Sequence, residues 1–164
     1  MASVENLPAE ILLKIFAYLD RNDVGQCLQV SKRFRNIAQA ESLWNKIELE
    51  SKVFRRSFVG QALSYGLKEL CLEECRVQYE GDDTELPERN KLQSLYFGAP
   101  WTNLDDRLEL EFLSDLLSSC QHLKKLIIGK WLPQGSNYFA PYPGGLDVRM
   151  IAQNGHTLEV LSLR

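Results

Sequence analysis

The sequence predicts an α/β chain: an N-terminal three-helix module, then a short, irregular solenoid with a parallel sheet on one face and helices on the other. Two patterns predict it. Apolar residues recur at helical period from Leu7 onward, and a Leu-x-x-Leu-x-Leu-like spacing recurs four times between Leu67 and Leu163. A third observation concerns what stabilises the module. Its residues include no cysteine framework and no paired Cys/His spacing that would staple so small a unit.

In chain order, Pro8 suits a first helical residue, because its fixed φ matches the helix and its missing N–H would be unpaired there. The first helix therefore starts at about Pro8. Ile11, Leu12, Ile15, Phe16 and Leu19 form a stripe at helical period, and Leu7 and Leu13 widen it beyond one face. One core cannot cover all of it. The polar run from Asp20 to Asp23 interrupts the pattern. A second helix with Val24, Cys27 and Leu28 on one side follows, capped by Asn22 or Asp23. Ser31 caps a third, with Phe34, Ile37 and Ala38 inward and Lys32, Arg33 and Arg35 on the solvated side, before Leu43 and Trp44 close the unit. Three short helices make a marginal core. A partner is the remaining source of stability.

Beyond the module, Leu67, Leu70 and Leu72 recur as Leu92, Leu95 and Phe97, then as Leu123, Leu126 and Ile128, then as Leu158, Leu161 and Leu163, at intervals of 25, 31 and 35 residues. Trp44, Ile47 and Leu49 form an irregular first member 23 residues earlier. This is the strand pattern of a leucine-rich repeat, in which inward residues of one short parallel strand stack on those of the next coil. Leu67 to Val77 matches most fully, with Cys75 at the Asn/Cys position and Val77 at the last apolar position. Helices of the opposite face are expected at Phe58 to Tyr65, Leu108 to Cys120 and Leu146 to Gly155. Leu113, Leu116 and Leu117 give the middle one an apolar face, and Gly66 and Gly155 are stops.

LPAEILLKIFAYLD, then QVSKRFR, then SLWNKIEL resemble an F-box over residues 5–49. The resemblance implies docking onto the small adaptor subunit of SCF-type cullin-RING ubiquitin ligases, and through it onto a cullin. It implies adaptor contacts at Leu7, Pro8, Ile11, Ile15, Leu19 and Val30, while Leu12, Phe16, Leu28 and Phe34 can serve the module's own core. The whole resembles an F-box (1–49) followed by leucine-rich repeats (50–164), an arrangement of ubiquitin-ligase substrate receptors. That implies a non-catalytic subunit presenting a protein substrate for ubiquitination. A scaffold that binds the adaptor or other partners without ubiquitin transfer is the alternative. The second and third repeats depart from the pattern, with Pro100 and Trp131 where Asn or Cys is expected. Arg164 follows a strand without a polar capping element, so a truncated repeat array is expected, unless Leu158 to Arg164 packs as an edge strand.

Composition narrows the function classes. No stretch approaches the roughly 20 apolar residues of a bilayer span, and the N-terminus lacks the pattern of a signal peptide, so a cytoplasmic or nuclear location is expected. Net charge is −3, divided as +2 over residues 1–66 and −5 over 67–164, which disfavours a phosphate-backbone binder in the C-terminal part. Cys27, Cys71, Cys75 and Cys120 do not read as a disulfide framework, and with His122 and His156 they give neither metal spacing nor a nucleophile–base motif. No metal, cofactor or catalytic residue is expected, and Gly144-Gly145 reads as a turn. The acidic run from Glu80 to Glu85 reads as a solvated loop. Two segments rich in aromatics, Pro and Gly supply substrate-contact candidates: Trp101, Trp131, Tyr138, Phe139 and Tyr142. The same side chains could instead fold over neighbouring repeats and fill gaps left by uneven repeat lengths.

Overall fold

The computed structural model describes residues 4–79, 85–98, 107–129 and 148–163. A 3-10 turn, Val4–Asn6, leads into α1, Ala9–Ala17. Pro8 stands just outside α1: its ψ of 148° is extended, and its carbonyl accepts from the Ile11 and Leu12 amides at 3.1 Å. The expected start at Pro8 is thus one residue early, because proline's φ suits the helix while its ψ does not follow. α2, Arg21–Val30, is capped by Asp20, whose carboxylate accepts from the Asp23 amide at 2.9 Å. This corrects the expected cap at Asn22 or Asp23. A cap must precede the first helical residue and reach the third, and Asp20 is the acidic residue so placed. Ser31 caps α3, Lys32–Ala38, as expected, accepting from the Phe34 amide at 3.2 Å.

Leu43 and Trp44 lie in a further helical turn, α4, Glu41–Trp44, and both are buried. The Trp44 indole N–H donates to the Ala38 carbonyl at 2.6 Å, which satisfies its polar end. Its ring stands 5.2 Å from that of Tyr65 and 6.2 Å from that of Phe58. The residue that closes the helical module therefore also packs against the next helix in the chain.

After α4 the elements run β1 (Lys46–Glu50), β2 (Val53–Arg55), α5 (Arg56–Ser64), β3 (Glu69–Glu73), β4 (Arg76–Gln78), β5 (Ser94–Gly98), α6 (Arg107–Ser119), β6 (Lys125–Gly129), α7 (Val148–Gln153) and β7 (Val160–Leu163). β1, β3, β5, β6 and β7 form one parallel sheet in that order, and β2 pairs with β4 in a second. The register aligns Ile47, Leu70, Leu95, Leu126 and Leu161 in one row, and Leu49, Leu72, Phe97, Ile128 and Leu163 in another. These are the positions singled out by the spacing, stacked despite the uneven intervals between them. The first row is buried from Ile47 to Leu126; Leu161, on the edge strand β7, is half exposed. The sequence and fold thus give a mixed helix–strand chain with a helical N-terminal region and a parallel sheet.

Helices α5, α6 and α7 fall in the three segments expected to be helical, α7 ending at Gln153, two residues before the expected Gly155. Phe112, Leu113, Leu116 and Leu117 bury the inner face of α6. Gly66, at φ +97°, ends the run after α5, and a Cβ there would meet Glu41 Cγ at 2.9 Å. Two buried asparagines tie α6 to the segments entering β5 and leaving α7. Asn90 donates to the Ser119 carbonyl at 3.0 Å and accepts from the Leu92 amide at 3.2 Å, and Asn154 donates to the Leu117 carbonyl at 3.0 Å. Cys75 is buried as expected, its thiol donating to the Glu73 carbonyl at 3.4 Å. A single apolar cluster runs from Phe16 in α1 to Ile151 in α7.

Candidate functional site

α1 divides its apolar stripe between two destinations. Leu12 and Phe16 are 0% and 2% exposed and face the core, whereas Ile11 and Ile15 are 41% and 40% exposed. Tyr18 is 92% exposed and lies three residues beyond Ile15 and seven beyond Ile11, on the same outer face. Pro8 is exposed one turn before Ile11. Leu7 and Leu19 are half-buried, Leu19 against the core. Val30, at the end of α2, is 60% exposed.

Two arginines of α3 hold this surface in place. Arg33 donates to the Leu7 carbonyl, fixing the segment before α1 against the start of α3. Arg35 donates through Nε to the Leu28 carbonyl at 2.9 Å, fastening the end of α2. Val30 thus belongs to an α2–α3 junction that Arg35 anchors. Arg33 and Arg35 are exposed, as expected, yet they also satisfy carbonyls, which charge patterning does not disclose. Leu12, Phe16 and Leu28 are buried, and the Phe34 ring meets that of Phe16 edge-on at 5.2 Å.

Tyr18 is the residue of this face that the sequence reading passed over. The helical spacing from Ile15 was the available signal, but an aromatic next to the helix end reads equally well as core. Trp101, Trp131, Tyr138, Phe139 and Tyr142 lie outside the described residues, as do Pro100 and the run from Glu80 to Asp83. On the sheet face opposite the core, Glu48, Cys71, Tyr96, Ile127 and Ser162 form one cross-strand row. The Tyr96 ring lies over two glycines of this face: a Cβ at Gly129 would stand 3.0 Å from its hydroxyl, and one at Gly98 3.3 Å from its ring.

The chemistry available to the thiols is limited. Burial pushes Cys27, Cys71 and Cys75 above the ordinary thiol range, and Cys120 up to about 12, the direction opposite to that of an activated nucleophile. Among the described residues no group of three His, Cys, Asp or Glu side chains could hold a metal ion, and no helix is long and apolar enough to cross a membrane. Glu41 at the start of α4 is the pronounced electrostatic junction. Hydrogen bonds from Lys91 at 2.8 Å and Lys68 at 2.9 Å bring its carboxyl down to about 2. They join α4 to the loops that enter β3 and β5.

The F-box-like family model matches residues 4–50. Human F-box/WD repeat-containing protein 8 is 36% identical over 72 residues, covering 44% of this chain and 12% of that protein. F-box/LRR-repeat protein 5 of Xenopus tropicalis is 41% identical over 46 residues, 28% of this chain and 7% of the relative. The ubiquitin ligase complex F-box protein UFO1 of Saccharomyces cerevisiae is 36% identical over 55 residues, 34% of this chain and 8% of the relative. The chain thus matches about an eighth or less of the length of these curated relatives, and the names of the human and frog proteins pair the F-box with different repeats. Residues 4–50, with the outward stripe of α1, carry an F-box-like domain.

Proposed function

We propose that this chain is a substrate-recognition subunit of an SCF-type ubiquitin ligase. The F-box-like module docks onto the small adaptor, and through it onto a cullin, by the face made of Leu7, Pro8, Ile11, Ile15, Tyr18, Leu19 and Val30. The observation that carries this reading is the split of α1: a helix already buried through Leu12 and Phe16 keeps a second apolar face outside the core. Fixed, exposed isoleucines at one-turn spacing, rimmed by an aromatic, suit a helix-in-groove contact. The name of the yeast relative supports the assignment to a ubiquitin ligase complex.

In the same reading, residues 1–49 form the docking module and 50–164 form leucine-rich repeats. The in-register rows of Ile47 to Leu161 and Leu49 to Leu163 support the repeat assignment. The repeats present a protein substrate, with Trp101, Trp131, Tyr138, Phe139 and Tyr142 as the side chains to test. The chain contributes effective concentration at the ubiquitin-charged enzyme and performs no bond chemistry itself. A cytoplasmic or nuclear location belongs to this proposal.

Co-expression of residues 1–164 with the adaptor, followed by affinity capture and size exclusion, tests the docking. A stoichiometric complex that is lost in the Pro8→Ala/Ile11→Asp variant is the expected result. Soluble, folded protein that captures no adaptor would instead favour an interaction scaffold that uses other partners.

A further inference from the structure

We propose that the groove between α2 and the outer edge of β1 and β2 binds an acidic peptide in extended form. The groove has a volume of about 710 Å³, with Gln26 and Gln29 of α2 on one wall and Val53 and Arg55 of β2 on the other. A smaller recess of about 340 Å³ shares Arg21, Leu49, Lys52 and Phe58 with it, and these two adjoining recesses make up the proposed channel.

Charge selects the ligand. Among the described residues the larger groove is lined by three cations, Arg21, Lys52 and Arg55, and by no carboxylate, on a chain whose net charge is −3. The smaller recess adds Lys46 and two acids, Asp20, which caps the Asp23 amide, and Glu48, which pairs with Lys46 at 2.7 Å, so among the described residues its cations Arg21, Lys46 and Lys52 still outnumber its acids. Arg21 holds its Nη1 out of solvent with no hydrogen-bond partner among the described residues. A shielded guanidinium nitrogen left unsatisfied is costly, and because Arg21 lines both recesses, a turn of its side chain toward an entering carboxylate gives that nitrogen an acceptor.

The strand edges select a peptide. β1 ends the five-stranded sheet and β2 ends the two-stranded one, and among the described residues neither has a strand on its outer side. Such edges accept an added strand, whose main chain gives affinity and whose alternate side chains give specificity. Val53, 66% exposed on β2, offers an apolar contact between the cations. A nucleic acid would need a longer track of phosphate-neutralising cations than these three provide. Leu19 of the proposed adaptor face lines the smaller recess, whereas Ile11, Ile15 and Tyr18 line neither, so the test turns on Arg21 and Lys52, which lie outside that face.

The test is fluorescence anisotropy with residues 1–164 and a labelled octapeptide of alternating Glu and Val, against a matched Lys-Val peptide and a single-stranded oligonucleotide. Saturable binding of the acidic peptide, weakening as salt rises, is expected. Arg21→Gln/Lys52→Glu should weaken it about tenfold or more. Lys52→Glu alone changes an exposed side chain and tests the charge without risk to the fold. Absent binding, equal binding of the Lys-Val peptide, tighter binding of the oligonucleotide, or indifference to Lys52→Glu would each overturn the proposal.

Discussion

At the residue scale, neighbours in sequence have opposite duties. Phe16 is 2% exposed and meets Phe34 edge-on, whereas Ile15 is 40% exposed. Phe16→Ala should therefore cost about 3–5 kcal/mol, read as a lowered urea midpoint, because it opens a cavity in a small core. The sequence disclosed the stripe but not its division, since periodicity counts apolar positions without saying which neighbour covers each. Leu12 and Phe16 could be named as residues able to serve the core, while Tyr18 was not legible as surface. Glu41 gives a pH prediction. Its carboxyl is held at about 2 by Lys91 and Lys68, below the ordinary value of 4.5, so its ion pairs contribute stability that is fully present above pH 4.5. That contribution is lost as pH falls through the range toward 2. Glu41→Gln should lower stability at neutral pH, with the difference from wild type narrowing below pH 4.5 in denaturant titrations. The Glu41 side chain is 41% exposed, so the effect is a modest one.

At the scale of elements, strands were more legible than helix ends. The Leu-x-Leu spacing fixed the two stacked rows, because a strand's side chains alternate and only one parity can face the helices. Caps depend on a single side chain's reach, and there Asp20 displaced the expected Asn22 or Asp23. The ties between elements were invisible to patterning. Asn90 reads as a loop residue in GDDTELPERNKL, yet it is buried and bridges the end of α6 to the strand that follows it. Asn90→Ala leaves the Leu92 N–H and the Ser119 carbonyl without this partner. It should destabilise by about 1–3 kcal/mol in thermal or denaturant unfolding, with the larger share lost from α6 protection in hydrogen exchange.

For the whole molecule, the apolar cluster passes from α1 through Trp44 and the sheet to α7 without a break. The helical module and the sheet should therefore unfold together. Protection of amides in α3 and in β5 lost at one denaturant concentration, in a single transition, is the expected observation; two separated midpoints would contradict it. Such continuity lets substitutions on the outer α1 face be read as binding effects, since that face adds little to the common core. It also explains how a module too small for an independent core is held: Trp44 reaches both Tyr65 and Phe58 beyond it. The most direct measurement is the affinity of purified 1–164 for the small SCF adaptor, wild type against Ile15→Asp, with thermal unfolding of each free protein in parallel. An affinity loss of about 30-fold or more with an unchanged unfolding temperature is the predicted result, the mark of a buried interface anchor that is not core. Equal affinities, or a loss of affinity that merely follows a collapse in unfolding temperature, would contradict it.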